Sequence, residues 1–170
     1  MVVKTTDTAK AGAAQTGAEP MRAHVVIIEG RFYQAIADML VDGAVSALSA
    51  RGATFERITV PGALEIPQVL SAAAAARAAG RYAFDGAIAL GCVIRGETAH
   101  YDIVCNNANH WLMDAASRHD VPVGNGILTV ETEAQAIARA EGGAAGKGGD
   151  AARACLKLIE LKRGFWGRSQ

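Results

Sequence analysis

The segment Ile94–His100 combines residues that could bind an anion and move a proton. It lies between an apolar run and a helical pattern, so the backbone N–H groups of Gly96, Glu97 and Thr98 are predicted to be free to bind. Such amides at a helix N-terminus attract anions, and the helix dipole adds to the attraction. His100 falls in the predicted first turn, where an imidazole can exchange protons near neutral pH. A second interpretation is a plain helix start, capped by Thr98, with His100 in solvent.

Two other loops after apolar runs carry candidate ligand contacts. Phe32 follows a Gly-Arg pair, and its ring could either stack on a planar ligand or pack against its own helix. Glu65 begins the second helical pattern, where the helix dipole favours an acid even without a function. The pattern alone therefore leaves both roles open.

Two further candidate site residues are cations that lie outside these three loops. Arg139 ends the fourth helical pattern, where the dipole favours a positive charge. Lys147 lies in a glycine-rich stretch, residues 142–149, which is predicted to be a connection. Taken alone, both are typical of surface residues.

The sequence disfavours several other kinds of site. His110 and His119 do not form the spacing of a metal set, so no metal is predicted. Cys105 follows His100 by five residues, on a different side of the predicted helix, which disfavours a thiol nucleophile. No G-x-G-x-x-G follows the first strand and no Walker A loop occurs, so no nucleotide cofactor is predicted.

Short apolar runs alternate with helical patterns along most of the chain. The predicted strands are Val25–Ile28, Thr54–Val60, Ala87–Val93 and Val123–Thr129. The predicted helices are Phe32–Leu48, Glu65–Ala79, Thr98–Arg118, Thr132–Ala140 and Asp150–Leu161, the fourth opened by a capping box of Thr132 and Gln135. This alternation predicts an α/β fold, a three-layer α/β/α sandwich with a flavodoxin-like four-stranded parallel sheet. Ligands of such sheets bind outside the carboxyl ends of the strands, where the three loops lie.

The composition is that of one folded domain. Apolar residues make up 51% of the 170 residues, and 17 basic residues balance 17 acidic ones, which gives no reason to expect nucleic acid or an anionic membrane as a partner. The three cysteines are scattered and no signal-peptide pattern is present, so we expect a cytoplasmic protein. We predict a flexible extension over residues 1–21, a folded domain over 22–163 and a C-terminal tail over 164–170.

Two longer segments resemble signatures of the lumazine synthase family. Val60–Pro67 (VPGALEIP) is similar to the family's VPGAxEIP, and Leu90–Asp102 (LGCVIRGETAHYD) is similar to its LGxVIRGxTxH segment, which continues with Tyr or Phe. Shorter matching segments follow in the family's order: Gly126–Thr129, Gln135–Ala140 and Gly146–Gly148. The resemblance runs from about Val25 to Leu161.

The resemblance implies a cofactor-free transferase of riboflavin biosynthesis. Enzymes of this family condense 5-amino-6-(D-ribitylamino)uracil with 3,4-dihydroxy-2-butanone 4-phosphate, and they release 6,7-dimethyl-8-ribityllumazine, phosphate and water. The resemblance also implies a homopentamer, able to assemble further, with active sites between adjacent subunits. No nucleic acid, membrane or metal is expected to take part.

The resemblance also implies a role for each matching residue. His100 is the implied proton donor, and Gly96, Glu97, Thr98 and Arg139 hold the phosphate. The other implied contacts are to the pyrimidine substrate, from Phe32, Ala63, Leu64, Glu65, Cys92, Val93, Ile94, Asn125 and Lys147. Asn125 and Arg139 are implied to come from the neighbouring subunit.

Asn125 and Glu97 depart from the family pattern. Many members have Phe where this chain has Asn125, so a polar contact replaces stacking. Glu97 stands where a small residue is usual, so we expect it to contact the phosphate through its backbone only. Two alternatives are a riboflavin synthase of the archaeal type, which the phosphate segment disfavours, and a non-catalytic flavin or lumazine carrier, which His100 and Arg139 disfavour.

Overall fold

The computed structural model describes residues 20–167, which contain a sheet of four parallel strands. The strands are β1 (His24–Gly30), β2 (Thr54–Val60), β3 (Gly86–Ile94) and β4 (Val123–Val130). Their order across the sheet is β2-β1-β3-β4, and each strand is joined to the next by a helical crossover, as parallel pairing requires. The predicted flavodoxin-like sheet is therefore confirmed.

Five α-helices cover the two faces of this sheet in the described part of the chain. They are α1 (Gln34–Ala50), α2 (Ile66–Ala78), α3 (His100–Arg118), α4 (Glu133–Ala140) and α5 (Lys147–Trp166). Helices α1, α4 and α5 pack on one face, and α2 and α3 pack on the other. The three-layer arrangement predicted from the alternating pattern is thus present.

Strand β1 shows why the sequence forms this arrangement. Val25 and Ile27 belong to the core under α1 and α5, whereas Val26 and Ile28 belong to the core under α2 and α3. Successive side chains of a strand point to opposite faces, so a strand covered on both sides must be apolar at every position. All four side chains are at most 1% exposed, which accounts for the continuous apolar run.

Two of the predicted helix starts are wrong by two residues. Helix α1 begins at Gln34 rather than Phe32, and α3 begins at His100 rather than Thr98. In both cases the residue directly after the strand still bonds to the neighbouring strand: the N–H of Arg31 donates to the carbonyl of Val60, and the N–H of Arg95 donates to that of Val130. These ladder-like bonds carry the chain past each strand before a helix can begin, and they leave Phe32 and Thr98 in loops.

The glycine-rich stretch over residues 142–149 was predicted to be a connection, but its last residues are helical. Helix α5 begins at Lys147 and continues to Trp166, past the predicted end at Leu161 and into the predicted tail. A Cβ at Gly148 would lie 1.9 Å from the carbonyl oxygen of Leu40, and one at Gly149 would lie 2.0 Å from that of Ala144. The glycines therefore permit close packing of α5 against α1.

The predicted N-terminal extension falls on residues 1–21, of which 1–19 lie outside the described residues. Met21 is buried in the core under α1 and α5, and its N–H donates to the carbonyl of Arg51 at 2.6 Å. Among residues 20–167, no helix combines the length and the apolar character needed to cross a bilayer.

Candidate active site

A cleft of about 260 Å³ opens at the carboxyl ends of the strands. Ligands of open parallel sheets bind at this edge, because the loops that follow neighbouring strands converge there. Ten of the predicted site residues line the cleft: Phe32, Ala63, Leu64, Glu65, Cys92, Val93, Ile94, Gly96, Thr98 and His100. The fold thus brings together side chains from three separate loops.

The end of β3 forms an apolar wall of the cleft. Cys92 is buried there, and burial raises the pKa of its thiol to about 11, with a smaller contribution from nearby Cys105. A thiol with such a raised pKa stays protonated near neutral pH, whereas nucleophilic attack requires the thiolate. Cys92 therefore contributes an apolar surface to the cleft.

The loop between β3 and α3 presents unpaired backbone amides. Within the described residues, the N–H groups of Gly96, Glu97 and Thr98 donate to no protein acceptor. The Thr98 hydroxyl accepts from the His100 N–H at 3.4 Å, although Ala99 rather than Thr98 is the N-cap residue of α3. Gly96, Thr98 and His100 nevertheless line the cleft and are exposed, so this region can also receive an anion.

A short 3-10 turn, Ala63–Glu65, places Glu65 at the cleft. This turn approaches the loop after β1 closely, since a Cβ at Gly30 would lie 3.0 Å from the carbonyl carbon of Gly62. Only glycine fits such a contact without a shift of the backbone. The close approach brings Phe32 and Glu65 to the same cleft.

The loop after β1 is anchored by a buried carboxylate. Glu29 is fully buried, and it accepts hydrogen bonds from Arg31 Nη1 at 2.9 Å and from Arg57 Nε at 2.7 Å. Pairing with Glu29 and Asp38 raises the pKa of Arg31, with the hydrogen bond to Glu29 the largest cause. The adjacent Phe32 is 74% exposed, and its ring lies edge to face with that of Tyr33, with ring centres 5.0 Å apart. An open aromatic face of this kind favours the stacking role for Phe32 over packing against its own helix.

Four predicted site residues do not line this cleft: Glu97, Asn125, Arg139 and Lys147. Asn125 lies on the edge strand β4, where its amide donates to Asn109 Oδ1 at 2.7 Å and accepts from the N–H of Ile127. Arg139 is in the last turn of α4 and donates to the carbonyl of Gln135 at 3.0 Å. Lys147 begins α5 and pairs with Asp150 at 2.9 Å.

The cleft also contains residues that the sequence did not single out, namely Tyr33, Gly62, Tyr101 and Val104. Val104 follows His100 by four residues, so both lie on one face of α3. That spacing was visible in the sequence and could have identified Val104. Tyr101 is held beneath the guanidinium of Arg95, 4.0 Å from the ring centre, a contact that no local pattern predicts.

The arrangement suits a small phosphorylated molecule bound beside a planar ring. Unpaired backbone amides, an exposed aromatic ring, an imidazole and a carboxylate all belong to the lining of this one cleft. Within residues 20–167, no group of three or more histidine, cysteine or acidic side chains is placed to hold a metal ion. Binding, orientation and proton transfer are the chemistry that these side chains themselves can supply.

Comparison with known proteins identifies relatives across nearly the whole chain. The family model described as 6,7-dimethyl-8-ribityllumazine synthase matches residues 22–163. A protein of that name from Azorhizobium caulinodans is 52% identical over 163 residues, which are 96% of this chain and 98% of the relative. A protein named 6,7-dimethyl-8-ribityllumazine synthase 1 from Rhizobium meliloti is 52% identical over 82% of this chain and 92% of the relative. A 6,7-dimethyl-8-ribityllumazine synthase from Agrobacterium fabrum is 51% identical over 85% of this chain and 97% of the relative.

Proposed function

We propose that this chain, which belongs to the 6,7-dimethyl-8-ribityllumazine synthase family, is a transferase that acts in riboflavin biosynthesis. It condenses 5-amino-6-(D-ribitylamino)uracil with 3,4-dihydroxy-2-butanone 4-phosphate, and releases the lumazine, phosphate and water. The observation that carries the proposal is a single cleft lined by Phe32, Gly96, Thr98 and His100, where the N–H groups of residues 96–98 donate to no acceptor within residues 20–167. It offers separate places for a phosphate and a planar heterocycle.

The phosphorylated substrate is assigned to the start of α3. The amides of Gly96, Glu97 and Thr98 donate to the phosphate oxygens, and the N-terminal end of the 19-residue helix α3 adds its positive dipole. Glu97 does not line the cleft, so its carboxylate stays outside while its N–H remains available. This placement supports the expectation that Glu97 acts through its backbone alone.

The pyrimidine substrate is assigned to the rest of the cleft. Its ring lies against Phe32 and along the backbone of Cys92–Ile94, and its ribityl hydroxyls bond to Glu65 and the turn before it, Ala63–Leu64. The two substrates then meet beside His100. Holding two reactants in one orientation can supply roughly 7–11 kcal/mol of the barrier in favourable cases.

His100 moves protons during the reaction. The 5-amino group of the pyrimidine attacks the ketone, and loss of water gives an imine. Loss of the proton at C3 and departure of the phosphate from C4 with the C–O electron pair give an enol, and its tautomerisation converts the C3 hydroxyl to a carbonyl. The ribitylamino nitrogen closes the ring on the remaining carbonyl, with loss of a second water. His100, exposed at the cleft, is placed to donate and recover protons at these steps.

The site is completed by a neighbouring subunit in a homopentamer. Asn125, Arg139 and Lys147 lie away from their own chain's cleft, and Arg139 forms no ion pair within residues 20–167. The cleft of about 260 Å³ is slightly smaller than the roughly 300–1,000 Å³ of ordinary ligand pockets. Both observations support a site with one wall missing, where Asn125 would face the heterocycle and Arg139 the phosphate.

We place the protein in the cytoplasm. Support comes from its three cysteines, all of which are free thiols in the described part of the chain. Unpaired thiols are the usual state in a reducing compartment.

The purified chain, mixed with both substrates, is expected to form the lumazine and release one phosphate per turnover. The measurement is lumazine absorbance together with phosphate release, compared with the same mixture without protein, because the two substrates also react spontaneously. Product at the background rate would refute the proposed activity. Tight binding of a flavin without turnover would instead indicate the carrier.

His100→Ala is expected to slow turnover by roughly 100-fold, the lower end of what proton transfer by a side chain contributes, while KM changes little because positioning of the substrates survives. His119→Ala is the matched control: it removes an exposed histidine at the opposite end of α3, far from the cleft lining. Both variants should fold, since both side chains are exposed. Equal kcat values for the two variants would remove His100 from the reaction.

A further inference from the structure

We propose that Arg95 is a positioning residue, which holds the phosphate-binding loop, Gly96–Thr98, in its active geometry without touching the phosphate itself. This inference rests on the proposed function, because it concerns how the phosphorylated substrate is bound. Arg95 is the residue directly before the loop, at the end of β3.

Arg95 forms hydrogen bonds to α3, to the segment between β4 and α4, and to the last residue of β4. Its Nη1 and Nη2 donate to the two carboxylate oxygens of Asp102, in the first turn of α3, at 3.3 and 3.2 Å. Its Nε donates to Glu131, between β4 and α4, at 2.8 Å. Its backbone N–H donates to the carbonyl of Val130 at 2.9 Å. The loop is therefore fixed on both sides: at its start by Arg95 itself and at its end by the helix that carries Asp102.

The guanidinium also packs on a cleft residue. Its central carbon lies 4.0 Å from the ring centre of Tyr101, and Tyr101 lines the cleft next to His100. A planar guanidinium can stack on an aromatic face while it forms a two-pronged bond to a carboxylate, a combination that lysine cannot reproduce. Arg95 thus sets the position of Tyr101 together with that of the loop.

The charges at Arg95 indicate an indirect role. Two carboxylates accept its hydrogen bonds, so the local cluster of Arg95, Asp102 and Glu131 has a net negative charge. Such a cluster does not attract a phosphate. Arg95 is also absent from the cleft lining, although Ile94 and Gly96 on either side of it are present. Its effect on the phosphate must therefore pass through the loop.

The same contacts extend to the helix that carries Arg139. The N–H of Glu131 donates to the side chain of Gln135 at 3.0 Å, and the carbonyl of Gln135 accepts from Arg139 at 3.0 Å. The start of α4 is further fixed by the N–H of Gln135, which donates to the Thr132 hydroxyl. Hydrogen bonds thus run from Arg95 through Glu131 to Gln135, whose carbonyl accepts from Arg139, the residue proposed to reach the cleft of the adjacent subunit.

The pairs formed by Arg95 are largely exposed, and this allows positioning to be separated from folding. The side chains of Arg95, Asp102 and Glu131 are 39%, 56% and 57% exposed. Ion pairs at such exposure contribute little to folding stability. Loss of Arg95 should therefore appear in the binding of the phosphorylated substrate and only weakly in the melting temperature.

The test compares Arg95→Met and Arg95→Lys with the matched control Arg118→Met. Arg118 lies in the last turn of α3, the helix that carries Asp102, and pairs with Asp114 at 2.8 Å. We expect Arg95→Met to raise the KM for the butanone phosphate roughly 10-fold or more, since small displacements of a binding group weaken productive contacts strongly. The KM for the pyrimidine should stay unchanged, Arg95→Lys should fall in between, and Arg118→Met should match the wild type.

An unchanged KM for the butanone phosphate in Arg95→Met would overturn the inference, and so would equal increases in the KM of both substrates. Calorimetric titration with inorganic phosphate provides an independent measurement that needs no turnover. If the wild type binds phosphate but forms no lumazine, the proposed function fails, and weaker phosphate binding by Arg95→Met still supports the inference. Equal phosphate affinities of the variant and the wild type overturn it in either case.

Discussion

Gly96→Asp is expected to raise the KM for the butanone phosphate at least ~100-fold, because it places a carboxylate among the amides that hold the phosphate. Two unit charges about 4 Å apart repel by about 4 kcal/mol at an effective dielectric constant near 20, and 1.4 kcal/mol corresponds to about a factor of ten. The loop is exposed, and salt screens part of this repulsion. The expected increase in KM, ~100-fold, is therefore smaller than the increase that unscreened repulsion would give.

The structure indicates that Gly96→Asp will fold. A Cβ built at Gly96 meets no other atom within 4 Å, and Gly96 is not among the glycines with a positive φ angle. The matched control is Gly96→Asn, which has the same size and shape without the charge and should raise this KM by less than about 10-fold. The two variants should share one melting temperature. Equal KM values for Asp and Asn would place the phosphate elsewhere.

The sequence predicts the fold well because the core is described by short-range patterns. Continuous apolar runs marked the central strands β1 and β3, since both faces of the sheet are covered, as Val25–Ile28 shows. The capping box at Thr132 and Gln135 placed the start of α4, and the N–H of Gln135 donates to the Thr132 hydroxyl, while the side chain of Gln135 accepts from the N–H of Glu131 rather than of Thr132. Features of this kind depend on residues within one turn or one strand of each other.

The errors arise where distant parts of the chain meet. Gly148 and Gly149 were predicted to lie in a connection. Instead, Gly148 allows α5 to pack tightly on α1, and Gly149 allows it to pack on the turn that precedes α5. Tyr101 was missed as a cleft residue because its position depends on Arg95, which is fixed by Glu131 from another loop. The contacts of Gly148 with Leu40 and of Arg95 with Glu131 join residues far apart in the chain, and no local pattern records them.

The candidate site likewise contains residues that the loop patterns predicted and residues that only the family resemblance implied. Ten of its residues were predicted from three loops and from the family resemblance, and the parallel sheet brings these loops to one edge. Asn125, Arg139 and Lys147 came from the resemblance alone, and their own chain's cleft does not include them. The test of their role therefore uses the whole assembly.

Arg139→Ala is expected to raise the KM for the butanone phosphate by about 10- to 100-fold, as loss of a charged hydrogen bond of about 1.5–3 kcal/mol implies. Arg139 is exposed, and in residues 20–167 its side chain bonds only to the carbonyl of Gln135, so folding should be unaffected. Arg118→Ala, another exposed arginine in the last turn of a helix, is the control for loss of charge. The KM for the pyrimidine should be the same in both variants. A normal KM for the butanone phosphate in Arg139→Ala would exclude Arg139 from the phosphate site.

Mixed oligomers decide which subunit supplies Arg139. Chains with Gly96→Asp and chains with Arg139→Ala, carrying different tags, are co-expressed, and the assemblies that contain both are purified. If each cleft takes its arginine from the next subunit, random mixing of equal amounts joins an intact loop to an intact arginine at about a quarter of the sites. Activity at low substrate should then rise to about a quarter of the wild-type value. If each chain supplies both groups to one site, every site keeps a defect, and activity stays at the level of the two pure variants. Restored activity in the mixture therefore requires a contact that neither chain can make alone, which is the property that separates a shared site from one complete in a single subunit.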